Sequence, residues 1–136
     1  MVRKSSLSRE VEPVKAVVTE MSPGNVEATL ETKAEGRAEM LVRYCGPLAD
    51  RPRLSVRFGE RREGRDRVET RDVPMVGAQG EATAIITCGP GAPLEGACFA
   101  FFEQTDAAEG ECRWDNAGRS LGYYAFDAQT GKVESR

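Results

Sequence analysis

Residues 111–126, ECRWDNAGRSLGYYAF, decide how the chain is read. Trp114 is the only tryptophan, and the turn-forming Asp115-Asn116-Ala117-Gly118 and the pair Tyr123-Tyr124 follow it. Asp and Asn side chains bond their own backbone, and Gly permits positive φ, so this stretch predicts a tight reversal between two strands. Large aromatics at the lip of such a loop either plug a core or offer a flat face to a ligand.

Working outward, the same β signature recurs in both directions. Val26, Ala28 and Leu30 alternate with Glu27, Thr29 and Glu31, which is the period of a half-buried strand. Met40, Val42 and Tyr44 share a face until Gly46-Pro47, where proline withdraws a donor. Leu54, Val56 and Phe58 point one way, leaving Ser55 and Arg57 outward. Ala82, Ala84, Ile86 and Cys88 oppose Thr83, Ile85 and Thr87, and residues 97–104 carry phenylalanine on both faces, as expected of a strand covered on both sides. Residues 14–18, 68–76 and 122–127 complete the predicted strands, the second a polar edge strand interrupted by Pro74. Residues 60–67 and 105–110 are charged and predict exposed loops. Short strands, frequent turn signals and almost no helical period predict an all-β fold, an antiparallel immunoglobulin-like β-sandwich of about seven to nine strands. The expected layout is a polar lead-in over 1–10, one domain over 11–128 and a polar tail over 129–136.

Bulk composition narrows the function classes. A chain of 136 residues with 19 basic and 22 acidic side chains carries a net charge of −3, so no global field recruits nucleic acid. The arginines of residues 51–71 are interleaved with Glu60, Glu63, Asp66 and Glu69, the pattern of a solvated, ion-paired surface without the aromatic ladder that bases stack on. No apolar run follows the basic residues at the N-terminus, so no signal peptide or membrane span is expected and the chain reads as soluble and cytoplasmic. Histidine is absent, and Cys45, Cys88, Cys98 and Cys112 form no Cys-x-x-Cys pair, so reduced, buried thiols are expected rather than a zinc site. Without histidine, a Gly-x-Ser-x-Gly turn, a P-loop or a dinucleotide fingerprint, the chain reads as a non-enzyme with no cofactor.

Several fragments in order carry a family resemblance: residues 42–49 (VRYCGPLA), 54–59, Val73-Pro74-Met75, 81–87, 99–103 and Trp114-Asp115-Asn116. Across about residues 41–127 the chain resembles the starch-binding carbohydrate-binding modules of families twenty-five and fifty-three. The resemblance implies an immunoglobulin-like sandwich that binds α-1,4-glucan, poly- or oligosaccharide, on one side. In that family an outward aromatic and a histidine fall where this chain has Ser55 and Arg57, and a loop tryptophan falls near residues 60–64, which hold no aromatic. Trp114, Asp115 and Asn116 carry over directly, with Ala117 in place of a second asparagine. The expected site is therefore Trp114 as a stacking face, Arg57, Asp115 and Asn116 as hydrogen-bonding groups, and Tyr123, or else its neighbour Tyr124, as a second contact. The alternative is an immunoglobulin-like sandwich that keeps the framework, with Trp114 in the core, has lost sugar binding and serves a protein partner or a structural role instead.

Overall fold

Period-two alternation builds both sheets. The computed structural model describes residues 17–65, 68–103, 112–119 and 122–136. Among the described residues are eleven strands: β1 (Val17–Thr19), β2 (Asn25–Thr32), β3 (Ala38–Cys45), β4 (Leu54–Arg62), β5 (Thr70–Pro74), β6 (Val76–Ala78), β7 (Glu81–Cys88), β8 (Leu94–Glu103), β9 (Cys112–Asp115), β10 (Tyr124–Asp127) and β11 (Val133–Ser135). The smaller sheet runs β2-β3-β7-β6, antiparallel throughout. The larger one is organised around β8, which pairs with β4 along one edge, and β5 lies outside β4. The other edge of β8 is shared by β9 and β10, flanked by β1, parallel to β9, and by β11, antiparallel to β10.

The inward residues of the two sheets meet in one core. Met40, Val42 and Tyr44 of β3 and Ala82 and Ile86 of β7 face Val56 and Phe58 of β4 and Phe99 and Phe101 of β8, all buried. Tyr44 stacks on Phe101 across the sandwich with ring centroids 4.2 Å apart. Burying each large side chain contributes about 1.5–3 kcal/mol, so the alternation read from sequence is also the source of stability. The all-β, mainly antiparallel two-sheet architecture is as predicted, with one parallel pair, β1–β9, and eleven strands among the described residues where about seven to nine were expected. Among the described residues no helix is long and apolar enough to cross a membrane.

Four local expectations give way. The Asp115–Gly118 turn reverses nothing: β9 and β10 both pair antiparallel with β8, Asp115 opposite Phe101 and Tyr124 opposite Phe99. The turn residues are real, with Ala117 and Gly118 at φ of 61° and 81°, yet they launch an excursion that leaves and rejoins the same strand line. Residues 60–67 do not all form a loop, because β4 continues to Arg62, whose charge is compensated inside. The predicted edge strand over 68–76 divides at Met75, whose N–H donates to the Leu54 carbonyl at 3.0 Å, and the next strand joins the opposite sheet. The polar tail over 129–136 contains β11, held by Tyr124 opposite Ser135. The loop over 105–110 and the lead-in over 1–10 lie outside the described residues.

Candidate functional site

Alternation on β9 sends Trp114 and Asp115 to opposite faces of the larger sheet. Trp114 lies half-buried on the outer face, directly opposite Phe102 of β8. Their rings stack with centroids 4.5 Å apart and planes 22° from parallel, and Phe102 is 5% exposed beneath the cluster. Arg57 of β4 lies opposite Ala100 of β8 and Asp72 of β5. The small Ala100 leaves space on the face, and the guanidinium Cζ lies 4.9 Å from the Trp114 ring centroid and 5.3 Å from that of Phe102. Arg57 Nε and Nη2 donate to Asp72 Oδ1 and Oδ2 at 2.8 and 3.0 Å, a bidentate pair. The outcome is a row across four neighbouring strands, β5-β4-β8-β9, in which the carboxylate, the guanidinium and the indole stand on β5, β4 and β9 and the guanidinium reaches across Ala100 of β8.

Asp115 faces the core and is 0% exposed. It accepts hydrogen bonds from the Tyr44 hydroxyl at 2.6 Å, the Tyr124 hydroxyl at 2.7 Å, the Ala117 N–H at 3.0 Å and the Gly24 N–H at 3.2 Å. Burial, joined by the hydrogen bond to Asp115 and its charge, pushes both phenols well above the usual tyrosine range. Gly24 is required here because a Cβ would come 2.7 Å from Tyr44 Cε1 and 3.1 Å from Asp115 Oδ2. Asp115 thus leaves the set of ligand contacts: its four donors saturate it, and it ties the β1–β2 link and the excursion after β9 to the core.

The remaining expected site residues divide as well. Asn116 is half-buried at the start of the excursion, where its carbonyl accepts the Arg119 N–H at 3.3 Å. Tyr123 is 40% exposed at its end, its backbone bonded in both directions to Arg136, whereas Tyr124 is buried. The structure therefore brings together Trp114 and Arg57 and adds Phe102 and Asp72. Phe102 had a signal, the phenylalanines on both faces of its strand. Asp72 needed the β4–β5 register, which composition does not reveal.

A second polar centre lies at the end of the sandwich, a cleft of about 260 Å³ lined by Glu60, Arg62, Arg65, Glu69, Arg71, Gly89 and Pro90. Arg62 is 8% exposed, yet it donates to Glu60 at 2.8 Å and to the carbonyls of Gly36, Gly89 and Ala92. Arg71 bonds the other Glu60 oxygen at 3.0 Å and the Thr87 carbonyl at 2.8 Å. Burial alone would raise the Glu60 carboxyl, but the hydrogen bonds from Arg71 and Arg62 outweigh it and hold the group below its ordinary range. Glu60 is thus shared between Arg62 and Arg71, one carboxylate oxygen to each.

The thiols are free at Cys45, Cys88 and Cys98. Burial pushes the Cys88 thiol up, with the Glu60 charge adding to it, and burial also raises Cys98. Cys45 is exposed rather than buried, because it is the outward residue at the end of β3. Among the described residues no three His, Cys, Asp or Glu side chains converge as a metal site would require. No family model, curated protein or solved structure matches the chain.

Proposed function

We propose that the chain is a non-catalytic glucan-binding module that holds an α-1,4-linked oligosaccharide or polysaccharide weakly on the outer face of its larger sheet. The observation that carries this reading is the position of Trp114, left half-buried on that face with the Arg57 guanidinium 4.9 Å from its ring. A pyranose has an apolar C–H face and an equatorial girdle of hydroxyls, so it needs an aromatic plane beside groups that donate and accept hydrogen bonds. Trp114 supplies the plane, Arg57 donors and Asp72 acceptors. Tyr123 and Asn116 flank the same excursion. The sequence resemblance to starch-binding modules supports the same ligand. So does the strand connectivity, β2-β3-β7-β6 facing β5-β4-β8 with β9 and β10, which we infer to be immunoglobulin-like.

One indole platform sets the strength. A stack and a few solvent-exposed hydrogen bonds leave roughly 4–5 kcal/mol after the cost of association, which corresponds to a Kd of about 0.2–1 mM. A repeating polymer raises retention through many equivalent sites. The test is native electrophoresis through a gel containing glycogen. The wild-type chain is expected to migrate more slowly than in a plain gel, and Trp114→Ala to lose that retardation. Equal mobility of the two proteins in both gels rules the reading out.

A protein-interaction role is the second reading, favoured by one feature of the other sheet. Leu41 and Ile85 are register partners on the outer face of the smaller sheet, 38% and 64% exposed. Their replacement by glutamate is expected to leave glycogen retardation unchanged.

A further inference from the structure

We propose that Asp72 is the specificity-determining residue of the Trp114 site, restricting it to uncharged sugars; this rests on the glucan reading above. A guanidinium held over aromatic rings is by itself a receptor for carboxylate, sulfate or phosphate-ester groups, because its planar fork matches two oxygens at once. Here the fork is already occupied, with both Asp72 oxygens engaged at 2.8 and 3.0 Å. The pairing is set by backbone register, Arg57 opposite Asp72 on adjacent strands, rather than by a chance meeting of long side chains. The next basic side chain on that strand, Arg71, is turned to Glu60 and the Thr87 carbonyl. Arg51, near the other end of the row, pairs with Glu103 at 3.8 Å.

An anion approaching Trp114 therefore meets a dipolar pair and the charge of a carboxylate whose side chain is 36% exposed. A neutral sugar meets an acceptor and a donor side by side, which suits two neighbouring hydroxyls. Asp72 thus does two things: it cancels the charge that would recruit acidic glycans, and it accepts from a sugar hydroxyl.

The experiment is an NMR titration of the full chain with maltoheptaose and with sulfated maltoheptaose, in wild type, Asp72→Asn and Asp72→Glu. Wild type is expected to bind maltoheptaose and to bind the sulfated sugar more weakly. Asp72→Asn is expected to weaken maltoheptaose and tighten the sulfated sugar, each by on the order of five- to tenfold, which reverses the ranking. Asp72→Glu is expected to restore the wild-type order. An Asp72→Asn protein that keeps the wild-type order, or loses both sugars equally as a purely structural role would require, overturns the inference while leaving the glucan reading intact. A wild-type chain that binds neither sugar overturns the glucan reading and this inference with it.

Discussion

The two faces of the larger sheet use similar chemistry to opposite ends. On the inner face Asp115 is sealed beneath two tyrosines and two backbone N–H groups, and Arg62 is enclosed by Glu60 and three carbonyls. On the outer face Arg57 and Asp72 make an equally well-formed pair beside Trp114, with their side chains 45% and 36% exposed. Geometry is alike and burial is not. Inside, a charge that loses its partner meets little water, so the loss of a partner there costs several kcal/mol. Outside, water screens the pair and it contributes little to stability, which leaves it available to a ligand.

The contrast is strongest at Asp115. Asp115→Ala strips the Tyr44 and Tyr124 hydroxyls and the Ala117 N–H of their carboxylate acceptor, takes one of two acceptors from the Gly24 N–H, and is expected to cost about 4 kcal/mol in urea unfolding. A loss below about 1 kcal/mol would put the inner face on a par with the outer and break the comparison. Glu60→Gln comes next, at about 3 kcal/mol near neutral pH, because it leaves Arg62 buried without its counter-charge. Its pH dependence has a definite sign. The folded carboxyl titrates below its unfolded value of about 4.3, so the stabilisation is present above that pH and is lost as pH falls through the lowered value. Melting temperatures of wild type and variant should converge on acidification below about pH 4.

Tyr124→Phe sharpens the same contrast from the alkaline side. It should cost about 2 kcal/mol at neutral pH, because the hydroxyl both donates to the Asp115 carboxylate at 2.7 Å and accepts the Gly24 N–H at 2.6 Å. Both phenols titrate above their unfolded value of about 10, so their contribution is complete below that pH and is lost as pH rises past it. Wild type should therefore lose more stability than the variant between about pH 9 and 11, as followed by thermal melts. The smallest effect belongs to the outer face, where Asp72→Asn should change unfolding free energy by less than about 0.5 kcal/mol.

Strand interiors were legible in the sequence because period two is a local signal: Met40, Val42 and Tyr44, then Leu54, Val56 and Phe58, are all buried as the alternation requires. What failed depended on partners far along the chain. Nothing within residues 115–118 reveals that the next segment rejoins β8 on the same edge, since a tight turn serves an excursion as well as a hairpin. Arg62 looked like a loop arginine because its acceptors include carbonyls at Gly36, Gly89 and Ala92. The adjacent Trp114 and Asp115 were read together as ligand contacts, but neighbours on a strand face opposite ways, and only Trp114 and Arg57 of the expected set share a face. Asp72 was missed because ion-pair register between two charged strands is a tertiary fact.

Because Trp114 is the sole tryptophan, its fluorescence reports on the outer face alone. Titration with maltoheptaose should change its emission saturably and reduce its quenching by acrylamide, while Asp115 and its tyrosines stay folded and the melting temperature does not fall. Emission and quenching that stay flat up to about 10 mM sugar, well above the expected Kd, would contradict the assignment of this face to glucan.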